Sequence, residues 1–522
     1  MPILIHQIKC PINESEKYAC EKALKALGIN SKDVKEISVH KRSLDARRGR
    51  ETSFVYSFVI NLTDKTKEKV IAEKRKAVFL ENQVFFPKCV LDKRAKIVIA
   101  GFGPAGMFAA LTLAKMGYKP LVLERGKSME ERVNAVENFW NGGSLDLSSN
   151  VQFGEGGAGT FSDGKLTTRI KDPLCKVVLS EFVNFGAEKE ILSLAKPHIG
   201  TDKIRKIVVR LRHEIEQLGG EVLFNSPLDG INVKNGKVVS VFSKGREIKT
   251  DKLILSVGHS ARDTFEMLLD NGILLEPKPF SVGARVEHRQ FDVDKSLYGD
   301  LAGDKRLPKG EYQLSKRFSD GSAAYTFCMC PGGYVVPSQS EEKTVLTNGM
   351  SLSDRSGENA NSAVVVSVSP SDFGRHPLDG VKFAREIEKR AYRLTEGYCA
   401  PCMSVKGFLQ DSNDIKTDIK PTYSLGTRYT DFTKLFPSRI IRLMKEGLID
   451  FSKKMSCFSD GLLTGPETRT SSPVRILRNS DMTAVGIKNL YPAGEGAGYA
   501  GGIMSAAVDG IKAAVMIMES EK

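Results

Sequence analysis

No stretch of about 18 consecutive apolar residues occurs in this chain, so a membrane-spanning helix is not expected. The opening residues Met1-Pro2-Ile3-Leu4-Ile5-His6-Gln7 lack a basic leader followed by an apolar core, so no secretory signal is expected. Cysteine is sparse and odd in number, nine in 522 residues and mostly scattered. In a chain this long that pattern suits reduced thiols in a cytoplasmic protein rather than a disulfide framework. RRM, KH and helix-turn-helix patterns are missing, and aromatic residues are rarely interleaved with basic ones, so nucleic acid is not an expected partner.

Glycine is what the chain has in excess: 47 residues, about 9% against a typical ~7%, clustered in a few places. Length suggests about three domains, or two with one interrupted. Lys and Arg number 77 against 63 Asp and Glu, a formal charge of +14. Residues 1–95 hold twenty of those cations against twelve acids. That excess suits either a solvated surface or an anionic partner.

Residues 1–94 read as a small basic α+β domain. Strands are expected at 3–8, 34–41 and 54–61. A helix over 16–27 would be capped by Asn13 and closed by Gly28, and a polar helix is expected over 65–76. Residues 42–50 form a dense basic loop, and 88–96 a charged junction.

The strongest local signal follows. Residues 97–100 make a buried strand, and Gly101-Phe102-Gly103-Pro104-Ala105-Gly106 a glycine turn. A helix over 107–116 and a strand over 120–124, ending in Glu124-Arg125-Gly126, complete the unit. Gly101 allows the tight turn, Gly103 lets backbone approach a pyrophosphate, and Gly106 brings the helix close to the sheet. The helix N-terminus attracts the phosphates. Glu124 stands where ribose hydroxyls would be met. The unit predicts a bound dinucleotide. No second such fingerprint exists for a separate nicotinamide domain.

Further along, a helix (203–218), a strand (221–225), a meander (230–234, 237–242, 246–249) and a strand (252–257) ending in the Gly258-His259-Ser260 turn rejoin this unit. The order resembles the FAD domain of the glutathione-reductase fold. That resemblance implies that backbone at Leu228 meets the adenine. It also implies that Glu495, at the end of the strand 488–493 and after Gly494, binds the ribityl chain. The start of the last helix, at Gly501, Gly502 and Ile503, would then face the flavin pyrimidine, where a helix N-terminus stabilises negative charge.

The chain as a whole resembles bacterial FAD-dependent proteins of the NAD(FAD)-utilizing dehydrogenase family. The likeness rests on the motifs at 42–47, 153–166, 348–350, 359–362, 468–475 and 491–502. It implies one FAD and an α/β architecture: a Rossmann-type, glutathione-reductase-like FAD domain (95–265 and 481–522) interrupted by a β-rich α+β substrate domain (266–480). The implied activity is hydride transfer through flavin N5 with a small-molecule substrate or electron donor, NAD(P)H being a candidate that docks transiently. The alternative is an FAD-containing, nucleic-acid-associated protein using the basic leading domain.

The 153–166 loop is too rich in glycine for regular structure and is expected to wrap a ligand through Gly156, Gly157, Gly159, Thr160, Lys165 and Leu166. Glu155 and Asp163 read either as proton donors or as solvated loop charges. His259 reads as a proton donor or as a turn residue near the cofactor, and Tyr499 as lining the active site. Arg469 and Arg475 either hold an anionic substrate or are surface arginines. Cys328/Cys330 and Cys399/Cys402 suggest zinc, a redox dithiol or incidental thiols; the expected metal content is none.

Overall fold

The computed structural model describes residues 2–47, 49–75, 78–79 and 89–520. Arg48 of the basic loop, Lys76 of the predicted polar helix, Lys88 of the junction and residues 521–522 lie outside the described residues.

The leading unit is an antiparallel sheet ordered Val34–Asp45, Ser53–Leu62, Ile3–Pro11 and Val78–Phe79. Helix Glu16–Leu27 buries Ala19, Ala23 and Leu27 and shares a core with Ile3, Phe58 and Ile60. Its cap is Ser15, whose hydroxyl accepts from the Tyr18 N–H, so Asn13 is not the cap. Gly28 closes the helix at φ 67°. The expected basic loop is partly strand: Arg42–Asp45 pairs with Ser53–Tyr56, and the Arg42 N–H donates to the Ser193 carbonyl. Arg47 is tied back to Asp45 at 2.6 Å.

The centre is a five-stranded parallel sheet ordered Leu490–Pro492, Lys252–Leu255, Ile97–Ala100, Leu121–Leu123 and Glu221–Leu223. All four residues of Ile97–Ala100 are buried, which accounts for a continuous apolar run where a half-exposed strand would alternate. Segments almost four hundred residues apart thus lie in one sheet. The helix after the glycine turn starts at Pro104, three residues earlier than expected, because proline suits the first helical position. This turn helix (Pro104–Lys115) packs on the final helix (Ile503–Glu519).

A seven-stranded sheet runs Ser315–Arg317, Ala323–Cys330, Asn359–Val368, Phe280–Arg289, Leu462–Glu467, Ala400–Ser404 and Thr427–Tyr429. Its core includes Val282, Val286, Val364 and Val366 with Ile440, Met444 and Leu448 of helix Ser438–Lys454. Leu275–Pro277 pairs with Val474–Ile476, bringing together the chain's entry to and exit from this region.

Candidate functional site

The glycine turn is shaped by its neighbours. Gly101 has φ 96°, and a Cβ there would stand 2.4 Å from the Ser256 carbonyl oxygen. A Cβ on Gly106 would stand 2.0 Å from the Gly101 oxygen, so only glycine lets the helix start beside the strand end. At Gly103 the nearest atom to a Cβ is 3.8 Å away. Gly103 is also the N-cap and offers no side-chain acceptor, so the first-turn amides of the turn helix are left for a ligand.

Glu124 is buried and already at work. Its Oε1 accepts from the N–H groups of Gly126 and Gly154, both at 2.9 Å, and its Oε2 from Phe102 at 2.8 Å. One side chain therefore ties the second strand, the glycine turn and the 153–166 loop together. A carboxylate has about four acceptor positions, so one remains.

The loop is organised by Arg132, which the sequence reading missed. It is fully buried and donates to the carbonyls of Asn150, Val151, Glu155 and Gly157 and to Thr160 Oγ1. Burial pulls its pKa down to about 9. Nothing in the amphipathic helix Met129–Trp140 distinguishes this arginine beforehand; only the carbonyls that converge on it do.

The expected roles of Glu155 change accordingly. It is fully buried, accepts from Met129 N at 2.6 Å and pairs with Arg212 at 2.8 Å. It is not a solvated loop charge: one carboxylate oxygen accepts from Met129 N and the other from Arg212, and the residue is outside the cavity lining. Asp163 is buried too, between Lys165 (2.8 Å) and Arg355 (2.7 Å). Burial alone would raise its pKa, but these two cations outweigh that and hold it below the ordinary range.

These elements border one cavity of about 490 Å³. Among the expected cofactor contacts, Gly101, Gly103, Pro104, Ala105, Glu124, Arg125, Gly157, Gly159, Lys165, Leu228, Gly258, Gly494, Glu495, Gly501, Gly502 and Ile503 line it. Gly106, Gly126, Gly156, Thr160 and Leu166 stand behind that lining. Gly126 packs against Gly154, Gly156 against Thr160, and Leu166 lies in the core.

At the other end, Gly502 (φ 105°) caps the final helix without a side-chain acceptor, and a Cβ on Gly501 or Gly502 would meet nothing within 4 Å. The helix start opens on the cavity. Glu495 accepts from Gly502 N at 3.4 Å, and burial pushes its pKa up to about 7, against Gly502 and Lys278, which pull it down. His259 also lines the cavity. Burial, then the charges of Arg469 and Arg262, drive its pKa down to about 3, so it stays a neutral imidazole.

Tyr499 is misplaced by the sequence reading. Its hydroxyl donates to the Ile476 carbonyl and accepts from Arg478 N, its ring lies 3.8 Å from the Arg478 guanidinium, and it is outside the cavity lining. Arg475 pairs with Glu276, also outside, whereas Arg469 lines the cavity while held by Glu388 and Ser340. Cys399 and Cys402 lie elsewhere, the first against the Leu425 carbonyl and the second in a small core. The seven-stranded sheet brings Cys328 and Cys330 to the cavity and adds lining that the sequence did not point to: Thr326, Phe327, Met329 and Glu467, with Tyr312 beside them. No group of three or more His, Cys, Asp or Glu among the described residues is placed to hold a metal ion. No described helix is long and apolar enough to cross a membrane.

The fold is mixed α/β, with a five-stranded parallel sheet and a seven-stranded sheet whose residues line the same cavity. Residues 279–470 match the model described as "FAD-dependent protein, C-terminal domain-like", and residues 1–60 match a domain of unknown function. A protein of Clostridium beijerinckii, described as an uncharacterized protein, is 43% identical over 532 residues, covering 99% of each chain. The chain belongs to the same family as that protein. Among solved structures, glycine oxidase from Bacillus cereus is similar at 12% identity, covering 82% of this chain and 96% of that one, with a TM-score of 0.34. L-proline dehydrogenase from P. horikoshii is similar at 11% identity, with 83% and 93% covered and a TM-score of 0.33.

Proposed function

We propose that the cavity holds FAD and that the chain is a flavin-dependent oxidoreductase of the NAD(FAD)-utilizing dehydrogenase type. The observation that carries this reading is the pair of helix N-termini, at Gly103 and Gly502, both without a capping side chain and both opening on the same cavity. One suits a pyrophosphate and the other the electron-rich pyrimidine edge of a flavin. The donor set fits such a group: uncapped amides at both ends, a spare acceptor on Glu124, and a half-buried carboxyl at Glu495.

When bound, FAD supplies two-electron hydride exchange at N5. The chain's own residues bind and enclose it. Amides after Gly103 take the pyrophosphate, Glu124 a ribose hydroxyl, backbone near Leu228 the adenine, and Glu495 the ribityl hydroxyls. Phe327, Met329 and Tyr312 add apolar surface to the cavity lining. His259, neutral through the physiological range, donates or accepts a hydrogen bond there without carrying charge. The units we assign are 1–94, then 95–265 with 481–522, and 266–480 between them. The electron partner is a small molecule, NAD(P)H the first to test.

The test is an absorption spectrum of the purified chain followed by anaerobic titration with NADH, NADPH and dithionite. Flavin bands that bleach with a physiological donor are expected. A colourless protein that takes up no added FAD overturns the reading.

A further inference from the structure

We propose that Cys328 and Cys330 form a second two-electron redox couple in the cavity wall, a dithiol/disulfide pair exchanging electrons with the flavin. The proposal deepens the reading above and rests on it for the flavin.

The backbone is bent at this point. Strand Ala323–Cys330 pairs with Asn359–Val368 regularly as far as Phe327 opposite Ala363, but Cys330 stands opposite Asn361, so three steps match two. That is a bulge. Within it Cys328 has φ 45°, in the left-handed region that residues with side chains seldom occupy. Such a conformation persists only when its surroundings enforce it. Here they do: Arg285 donates to the Cys328 carbonyl at 3.0 Å, and is itself fully buried between two 2.6 Å bonds to Glu467 and one of 2.8 Å to Asn361.

The bend brings both thiols to one cavity. Cys330 Sγ lies 3.3 Å from the carbonyl oxygen of Cys328, folded back on its neighbour. Two residues of regular strand span roughly 6.6 Å, at the upper end of the ~4.4–6.8 Å between Cα atoms that a disulfide bridges, and a bulge shortens that span. The two positions differ in access: Cys328 is exposed and Cys330 buried. A sulfur entering the cavity meets Cys328, and Cys330 resolves the bond it forms. Burial raises both pKa values, that of Cys328 to about 12, and Lys165 is the foremost opposing influence on each. The pair therefore rests as neutral thiols, which suits an electron store. The other close pair, Cys399 and Cys402, has no access to the cavity.

The step balances. Two S–H bonds break and one S–S bond forms; two electrons pass to oxidised flavin, and two protons go to flavin and solvent. In reverse, reduced flavin reopens the disulfide.

The test has two arms on the full chain. In the first, diamide-treated protein, with or without FAD, is mapped by mass spectrometry. A Cys328–Cys330 bond with a loss of about 2 Da is expected in wild type and none in Cys330→Ser. Independent alkylation of the two cysteines after diamide, as in dithiothreitol, overturns the proposal. In the second, holoprotein carrying the closed pair is photoreduced anaerobically. Flavin reoxidation with the appearance of two alkylatable thiols is expected, and is lost in Cys328→Ser. Flavin that stays reduced over a closed pair overturns the electron exchange. A chain that binds no FAD overturns the flavin reading and the exchange, while the first arm still decides whether the pair closes.

Discussion

Gly510 of the final helix lies so close to Ala105 of the turn helix that a Cβ on it would stand 2.0 Å from the Ala105 carbonyl oxygen. Backbone meets backbone there, and neither side has a flexible atom to give way. The contact fixes the distance between the two helix starts that open on the cavity.

Gly510→Ala is therefore expected to cost about 1–3 kcal/mol, the usual range for overpacking, and to weaken FAD retention. Thermal unfolding with and without added FAD checks both. An unchanged melting temperature would show that the helices can separate at no cost.

Gly103 and Gly106 separate folding from binding. Gly103→Ala adds a methyl at φ −79° whose nearest neighbour, Gly157 Cα, stands at an ordinary 3.8 Å contact, so stability should change by less than about 0.5 kcal/mol. FAD affinity should fall at least about tenfold, some 1.4 kcal/mol. Gly106→Ala should instead lower stability, since its Cβ would meet the Gly101 oxygen at 2.0 Å. Urea unfolding and flavin titration of the two variants make the comparison. Equal effects of both on stability would contradict the assignment.

Glu155→Ala should act on stability alone. It takes from Arg212 the closer of its two acidic partners, leaving Glu216, and leaves Met129 N without its acceptor; an unsatisfied buried group costs roughly 1–3 kcal/mol. The urea midpoint should fall accordingly, and the pH profile of flavin reduction should keep its shape. Full stability with a lost acidic limb would restore Glu155 as a proton donor.

Glu495 sets a pH dependence. Its folded pKa, about 7, lies above its ordinary 4.5, so the folded state holds the proton more tightly. The resulting stability is fully present below about 4.5, is lost as pH rises to about 7, and is gone above that. Glu495→Gln should flatten stability across that window and exceed wild type near pH 8. Urea midpoints of FAD-free protein across the window, for both chains, check it.

The turn from Gly101 to Gly106 and its flanking strands were legible because the signal is local: a buried run, a glycine spacing and a helix within about thirty residues. The helix start alone shifted, to Pro104. The resemblance pointed to Glu495 and the Gly501–Gly502 turn, and these residues line the cavity. Arg132 was not, since a buried arginine on an amphipathic helix looks like a surface one until five acceptors converge on it. Tyr499 failed for the converse reason: its place in a glycine-rich motif says nothing of where its hydroxyl finds partners, and those are Ile476 and Arg478.

Elements with a short-range cause, the glycine turn, the buried strands and the two uncapped helix starts, are written in the order of residues along the chain. Which charges are spent and which are free was settled only when distant segments packed against one another. Glu155 and Asp163 are consumed by arginines and a lysine, and part of the cavity wall comes from a sheet hundreds of residues away from the glycine turn. The reason is physical. A backbone conformation depends on neighbours along the chain, whereas the burial and pairing of a charge depend on whatever the fold brings against it.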